Sequence, residues 1–108
     1  MNFRKTFEIE RENIDKIPAF FRARGYNVEK SLPNNYTFKR GAGWIARLTS
    51  DIKSFPTLVE VILTESEGNT VQVLVLYDVE TMEMVVPRSQ QEKIRAELNS
   101  LYVFTETK

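Results

Sequence analysis

The chain has 108 residues, 42% of them apolar and 28% charged, with 15 Lys and Arg balancing 15 Asp and Glu. That is the size and composition of one globular domain, large enough to bury a core without metal or disulfide staples. Cysteine and histidine are both absent, which removes thiol chemistry, disulfides, the commonest general base and most zinc or iron ligation.

Met1-Asn2-Phe3-Arg4-Lys5 leads into alternating residues rather than an apolar leader, and no window approaches the roughly 18 apolar residues of a membrane span. The expectation is a soluble, cytoplasmic domain. Charge is uneven along the chain: residues 1–54 carry a net +5 and residues 55–108 a net −5. Such asymmetry produces either a basic binding face, or complementary surfaces on two copies, or nothing where the fold interleaves the halves.

Phe3, Phe7 and Ile9 alternate with Arg4, Thr6, Glu8 and Glu10, as a half-buried first strand does. Asp15 is placed to cap a helix beginning at Lys16, with Pro18 in the first turn and Ile17, Phe20 and Phe21 on one stripe. Gly25 ends that helix after the basic run Arg22-Ala23-Arg24. Tyr26 to Lys30 resumes a strand, Pro33-Asn34-Asn35 turns, and Tyr36-Thr37-Phe38-Lys39-Arg40 returns. After Gly41-Ala42-Gly43, the segment Trp44 to Leu48 fits a short strand or a helical turn equally, and Thr49 to Thr57 reads as loop.

Leu58-Val59-Glu60-Val61-Ile62-Leu63-Thr64 and Val71-Gln72-Val73-Leu74-Val75-Leu76-Tyr77 have the densest β-branched content, broken by Glu67-Gly68-Asn69. This predicts an antiparallel hairpin. An odd-length connection sets Val61 opposite Val75 and Leu63 opposite Val73, so one face is wholly apolar; a one-residue slip would mix the faces. A three-residue loop with Asn69 left-handed meets that requirement. The other face carries Leu58, Ile62, Leu74 and Leu76 beside only Glu60, Thr64 and Gln72, too apolar for a sheet face left in water. Residues 80–86 read as an extended crossover. Ser89 and Glu92 suggest a capping box for a last helix with Ile94, Leu98 and Leu101 on one side, and Tyr102-Val103-Phe104 at its end.

Early and late helices around a run of strands give an α+β fold: an antiparallel sheet of about five strands, order β-α-β-β-(β)-β-β-α, with two helices on one face. All 108 residues form a single globular domain, with no linker or repeat.

Thr37-Phe38-Lys39-Arg40-Gly41, Tyr77-Asp78-Val79-Glu80-Thr81, and Val86-Pro87-Arg88 before a helix containing Glu97-Leu98 together resemble a small uncharacterised α+β domain of cyanobacterial and other bacterial hypothetical proteins, some of them membrane-attached. The resemblance spans most of residues 36–101. It implies a folded module without an established activity, and it carries over no functional residue.

Chemistry-bearing patterns are sparse. Arg40-Gly41-Ala42-Gly43-Trp44 places basic residues beside paired glycines, as in phosphate-cradling loops, and approximates an RNA-recognition signature in which Ala42 replaces the first aromatic. Tyr36 and Phe38, with Lys39, Arg40 and Arg47, would then be the stacking and phosphate-binding residues for single-stranded nucleic acid. Against that stands the absence of a basic excess. Ser50 and Lys53 have the Ser-x-x-Lys spacing of penicillin-recognising serine enzymes, without the accompanying elements. Asp78, Glu80 and Glu83, with Glu65 and Glu67 at the far end of the hairpin, are read as solvated carboxylates. Asn35-Tyr36-Thr37 is a formal glycosylation acceptor.

The reading that emerges is a non-catalytic protein-interaction module, without cofactor or metal, that self-associates through Leu58, Ile62, Leu74 and Leu76. The alternative is a binder of small apolar ligands of helix-grip type, in which Phe20, Phe21, Tyr36, Phe38, Trp44 and Tyr77 line a pocket. The second alternative is the nucleic-acid surface on Tyr36, Phe38, Lys39, Arg40 and Arg47.

Overall fold

A computed structural model describes residues 1–41, 51–81 and 85–106. The densest β-branched stretch forms the hairpin its alternation dictates. Strand β4 (Thr57–Glu65) pairs with β5 (Thr70–Val79), with Val61 opposite Val75 and Leu63 opposite Val73. Gly68 in the turn is left-handed, at φ 66°, whereas the sequence placed that conformation at Asn69. A residue without Cβ adopts it at no steric cost.

Strands β1 (Asn2–Glu10), β2 (Asn27–Leu32) and β3 (Asn35–Arg40) complete one antiparallel sheet in the order β1-β5-β4-β3-β2. The N-terminal half therefore supplies both flanks and the C-terminal half the middle. Three ion pairs, Arg11–Glu65, Arg40–Glu97 and Lys93–Asp51, each join a residue of the first half to one of the second. The charge asymmetry along the sequence is thus interleaved in space.

Helix α1 (Lys16–Ala23) follows a 3-10 turn at Arg11–Asn13. Asp15 does not cap it. Because the chain arrives already turning, Asp15 has helical angles of φ −65° and ψ −16°, and its side chain makes no capping bond. An N-cap needs extended backbone. The other end is built as expected: Gly25 (φ 86°) donates to the Arg22 carbonyl at 3.1 Å, and Tyr26 N–H to the Phe21 carbonyl at 3.1 Å. The Tyr26 ring meets Phe21 edge-on, 5.1 Å between centroids, which is the apolar contact that accompanies this kind of helix stop.

Helix α2 runs from Arg88 to Glu106. Ser89 lies inside it, so no capping box forms; Glu92 instead pairs with Arg95 at 2.8 Å, and Gln91 Nε2 donates to the Val86 carbonyl at 3.0 Å. Ile94, Glu97, Leu98, Leu101 and Thr105 are its buried positions. Within the expected loop, Ile52–Ser54 makes a 3-10 turn that buries Ile52, whose N–H donates to Gln90 Oε1 at 3.1 Å and ties the turn to α2. The segment 44–48 and the middle of the 80–86 crossover lie outside the described residues.

Both helices cover the face carrying Phe3, Phe7, Val59, Val61, Val73, Val75 and Tyr77. Phe21 stacks on Phe38 at 4.5 Å and meets Phe20 at 5.2 Å, while Phe7 meets Tyr102 at 5.3 Å. The aromatic rings fill the space between helices and sheet. Among the described residues, no helix is long and apolar enough to cross a membrane.

Gly41 closes β3 at φ 89°, where a Cβ would run into the backbone carbonyls of Ser54 and Phe55. Gly68 has the same sign of φ but open space around it. Gly68→Ala is therefore expected to cost ~1–2 kcal/mol from the left-handed backbone alone, and Gly41→Ala distinctly more. Urea unfolding of the two variants side by side measures the difference.

Candidate functional site

The sheet register lays out the uncovered face as a grid. One row reads Leu32, Asn35, Ile62, Leu74, Thr6 across β2-β3-β4-β5-β1. The next reads Lys30, Thr37, Glu60, Leu76, Arg4, and the next Asn27, Lys39, Leu58, Asp78, Asn2. Beyond the first row lie Thr64, Gln72 and Glu8. The four residues singled out in the sequence thus meet on the two middle strands: Ile62 is directly opposite Leu74, Leu76 follows Leu74 along β5, and Leu58 lies diagonal to Leu76. Cross-strand and diagonal neighbours are within side-chain reach, so the patch is continuous.

Leu58 is 44% exposed; Ile62, Leu74 and Leu76 are half-buried by their own neighbours in the sheet. No described helix lies over them. Leu58 and Leu76, with Glu60, Asp78, Asn2 and Arg4, line a depression of about 440 Å³ open to solvent. Lys30, Lys39 and Arg4 are set against Asp78 and Glu8 around the patch, and Glu60 lies within it, between Leu58 and Ile62 and opposite Leu76.

The residues proposed for nucleic acid are not brought together. Strand alternation sends Tyr36 and Phe38 inward, 8% and 0% exposed, and Lys39 outward to the grid. Stacking of bases needs exposed rings, and these two rings are packed in the core. Arg40 also turns inward, and Arg47 lies outside the described residues. Of the aromatics assigned to an apolar pocket, Phe20, Phe21, Tyr36, Phe38 and Tyr77 are buried against the core, and Trp44 is outside the described residues. The remaining patterns disperse. Ser50 and Glu83 are not described, and Lys53 is exposed. Glu65 is paired with Arg11, and Asn35 begins β3. Among the described residues, no three carboxylates gather to hold a metal ion.

Sequence reasoning missed the polar cluster under α2. The Glu97 side chain, 2% exposed, accepts from Tyr26 Oη at 2.8 Å, Tyr77 Oη at 2.7 Å and Arg40 Nη1 at 2.8 Å. The Arg40 guanidinium lies over the Tyr26 ring at 4.2 Å, and its Nε and Nη2 are buried with no hydrogen-bond acceptor among the described residues. The signal available was Glu97 itself, a charge on the apolar stripe between Ile94 and Leu101. Burial, reinforced by the Glu97 carboxylate, pushes the Tyr26 hydroxyl far above its ordinary value; burial, with Tyr26 and Glu97 alongside, does the same to Tyr77. The pair is shielded from solvent, the Arg40 side chain being 10% exposed.

No protein-family model matches the chain, and no curated protein matches it.

The cluster makes stability fall at alkaline pH. Above the ordinary tyrosine value of 10.0, the unfolded chain releases protons that folded Tyr26 and Tyr77 retain. The unfolded state then binds fewer protons, so stability falls as pH rises, by about 1.4 kcal/mol per pH unit for each ring. Denaturant unfolding between about pH 9 and 11.5 should show this decline, and Tyr77→Phe should flatten it by one ring's share. At neutral pH, Glu97→Ala should cost ~3–5 kcal/mol by leaving Arg40 buried without its counter-charge.

Proposed function

We propose that this protein is a non-catalytic interaction module that associates with a second copy of itself through the outer face of its sheet. The observation that carries the reading is the continuous patch of Leu58, Ile62, Leu74 and Leu76 on β4 and β5, left uncovered by helices that both lie on the opposite face. Apolar patches rimmed by polar residues mark association surfaces. A two-fold contact uses the same patch twice, so an apolar centre with both signs of charge around it is suited to meet itself. Lys30 and Lys39 on one copy have Glu60 and Asp78 on the other as available partners.

The neutral total charge favours the same reading, since nothing repels a second copy at long range. The open depression between Leu58 and Leu76 belongs to this patch, and in a face-to-face contact a side chain of the second copy would occupy it.

Ile62→Glu tests the reading, because it sets a charge at the patch centre without touching the core. Sedimentation of the unaltered chain at increasing micromolar concentration should show self-association. The variant should weaken the contact through this face at least tenfold while keeping its unfolding free energy within about 1 kcal/mol of the original. An unaltered chain that remains monomeric at high micromolar concentration overturns the reading.

A further inference from the structure

The sheet has two edges, and they are built differently. Strand β2 is short, carries an irregularity between Val28 and Lys30, and runs into Pro33. Bulges, charge and proline are the usual means of blunting an edge. Strand β1 spans nine residues, Asn2–Glu10, in unbroken register with β5 and without proline.

Its free backbone groups can be assigned. Met1 N donates to the Val79 carbonyl at 2.8 Å, and Val79 N–H to the Met1 carbonyl at 2.8 Å; at the other end Arg11 N–H donates to the Asn69 carbonyl at 2.9 Å. Odd residues therefore face β5. By the alternation of an antiparallel ladder, the N–H and C=O of Asn2, Arg4, Thr6 and Glu8 point away from the sheet. None of these groups has a hydrogen-bond partner among the described residues.

From this edge we infer that β1 pairs antiparallel with β1 of a second copy about a two-fold axis at Thr6, joining two five-stranded sheets into one. Thr6 is the midpoint of the strand, so this register gives full overlap. It also sets Arg4 opposite the second copy's Glu8, and Glu8 opposite its Arg4, both on the outer face. Asn2 falls opposite Glu10, and Phe3 opposite Ile9 on the inner face. Moving the axis to Lys5 would bring two lysines together, and the Arg4–Glu8 match would be lost. Opposite charges across strands stabilise a pair and like charges destabilise it. Lys5 faces inward, where its ammonium lies over the Tyr102 ring at 5.4 Å.

This pairing uses an edge, whereas the proposed function uses a face, so each can fail without the other. The test is run in the Ile62→Glu background, which disables the face. There, sedimentation should still show a dimer. Arg4→Glu and Glu8→Arg should each weaken it at least tenfold, by opposing two like charges twice. Mixing those two variants should restore association as a heterodimer, because both cross-strand pairs then join an acid to a base. The introduced glutamate of one chain meets the introduced arginine of the other, and the unaltered Glu8 of the first meets the unaltered Arg4 of the second. Since the chain has no cysteine, Thr6→Cys under mild oxidation should give a single cross-linked dimer; hydrogen-bonded antiparallel partners sit ~5.5 Å apart at Cα, within disulfide reach. A monomer in the Ile62→Glu background, or a dimer indifferent to both charge reversals, overturns the inference. Capture of an unrelated strand by the edge, with no homodimer, overturns it equally.

Discussion

Pairing Val61 with Val75 and Leu63 with Val73 sends the valines of β4 and β5 to one side of the sheet, and the rest of the chain is arranged by that choice. The valine side takes both helices, because their apolar stripes have nowhere else to be buried. The reverse side keeps Leu58, Ile62, Leu74 and Leu76. Had the register slipped by one residue, Glu60, Thr64 and Gln72 would lie under the helices, and no arrangement of α1 and α2 would compensate. The outer patch is therefore not an accident of loose packing. It is the remainder left when the hairpin with the strongest core is satisfied first.

The second organising element is the carboxylate of Glu97. Its three donors come from three separate pieces of chain: the segment just after α1, the end of β3 and the C-terminal part of β5. Sliding α2 by one turn, or rotating it by one residue, would remove all three bonds and leave a charge in the core. An apolar stripe alone tolerates such shifts, since Ile94, Leu98 and Leu101 could exchange places at modest cost. The buried charge fixes which position of α2 faces Tyr77. It couples to the stop of α1 as well, because the same Tyr26 that closes that helix by bonding Phe21 also reaches Glu97.

The sheet was legible wherever alternation was strong. Hairpin register, the turn back from β2 to β3, the stop at Gly25 and the buried face of α2 all follow from side-chain period and glycine placement. Details at helix starts were not. Asp15 and Ser89 have the chemistry of caps, but capping depends on the backbone angles with which the chain enters the helix, and those are set by the preceding 3-10 turn and by Pro87. The outer patch was legible because it needed only the parity of four residues. The Glu97 cluster was not, because Tyr26, Arg40, Tyr77 and Glu97 are brought together only by the packing of α2 against the sheet and the segment after α1. Arg40 shows the limit most clearly: a basic residue beside glycines reads as an exposed phosphate ligand, whereas its place at the end of β3 beside α2 makes it the partner of a buried acid.

The same grid bounds the strength of the proposed contact through the outer face. Ile62, Leu74 and Leu76 are already half-covered by their sheet neighbours, so completing their burial yields about 1 kcal/mol each, and the four residues of two copies together yield ~8 kcal/mol. Ordering two bodies against each other costs roughly 4–15 kcal/mol. These are of the same size, so contact through the outer face alone would have little net free energy to hold it. Rim charges add little, since exposed pairs contribute ~0–1 kcal/mol. An edge strand contributes differently, through an aligned row of backbone donors and acceptors that only one register satisfies together with its charges. A sheet extended across two β1 strands also keeps both outer patches on the same side, because the two-fold axis stands perpendicular to it. Two such extended sheets facing one another would bury four patches in one contact, and the entropic cost per patch would be halved.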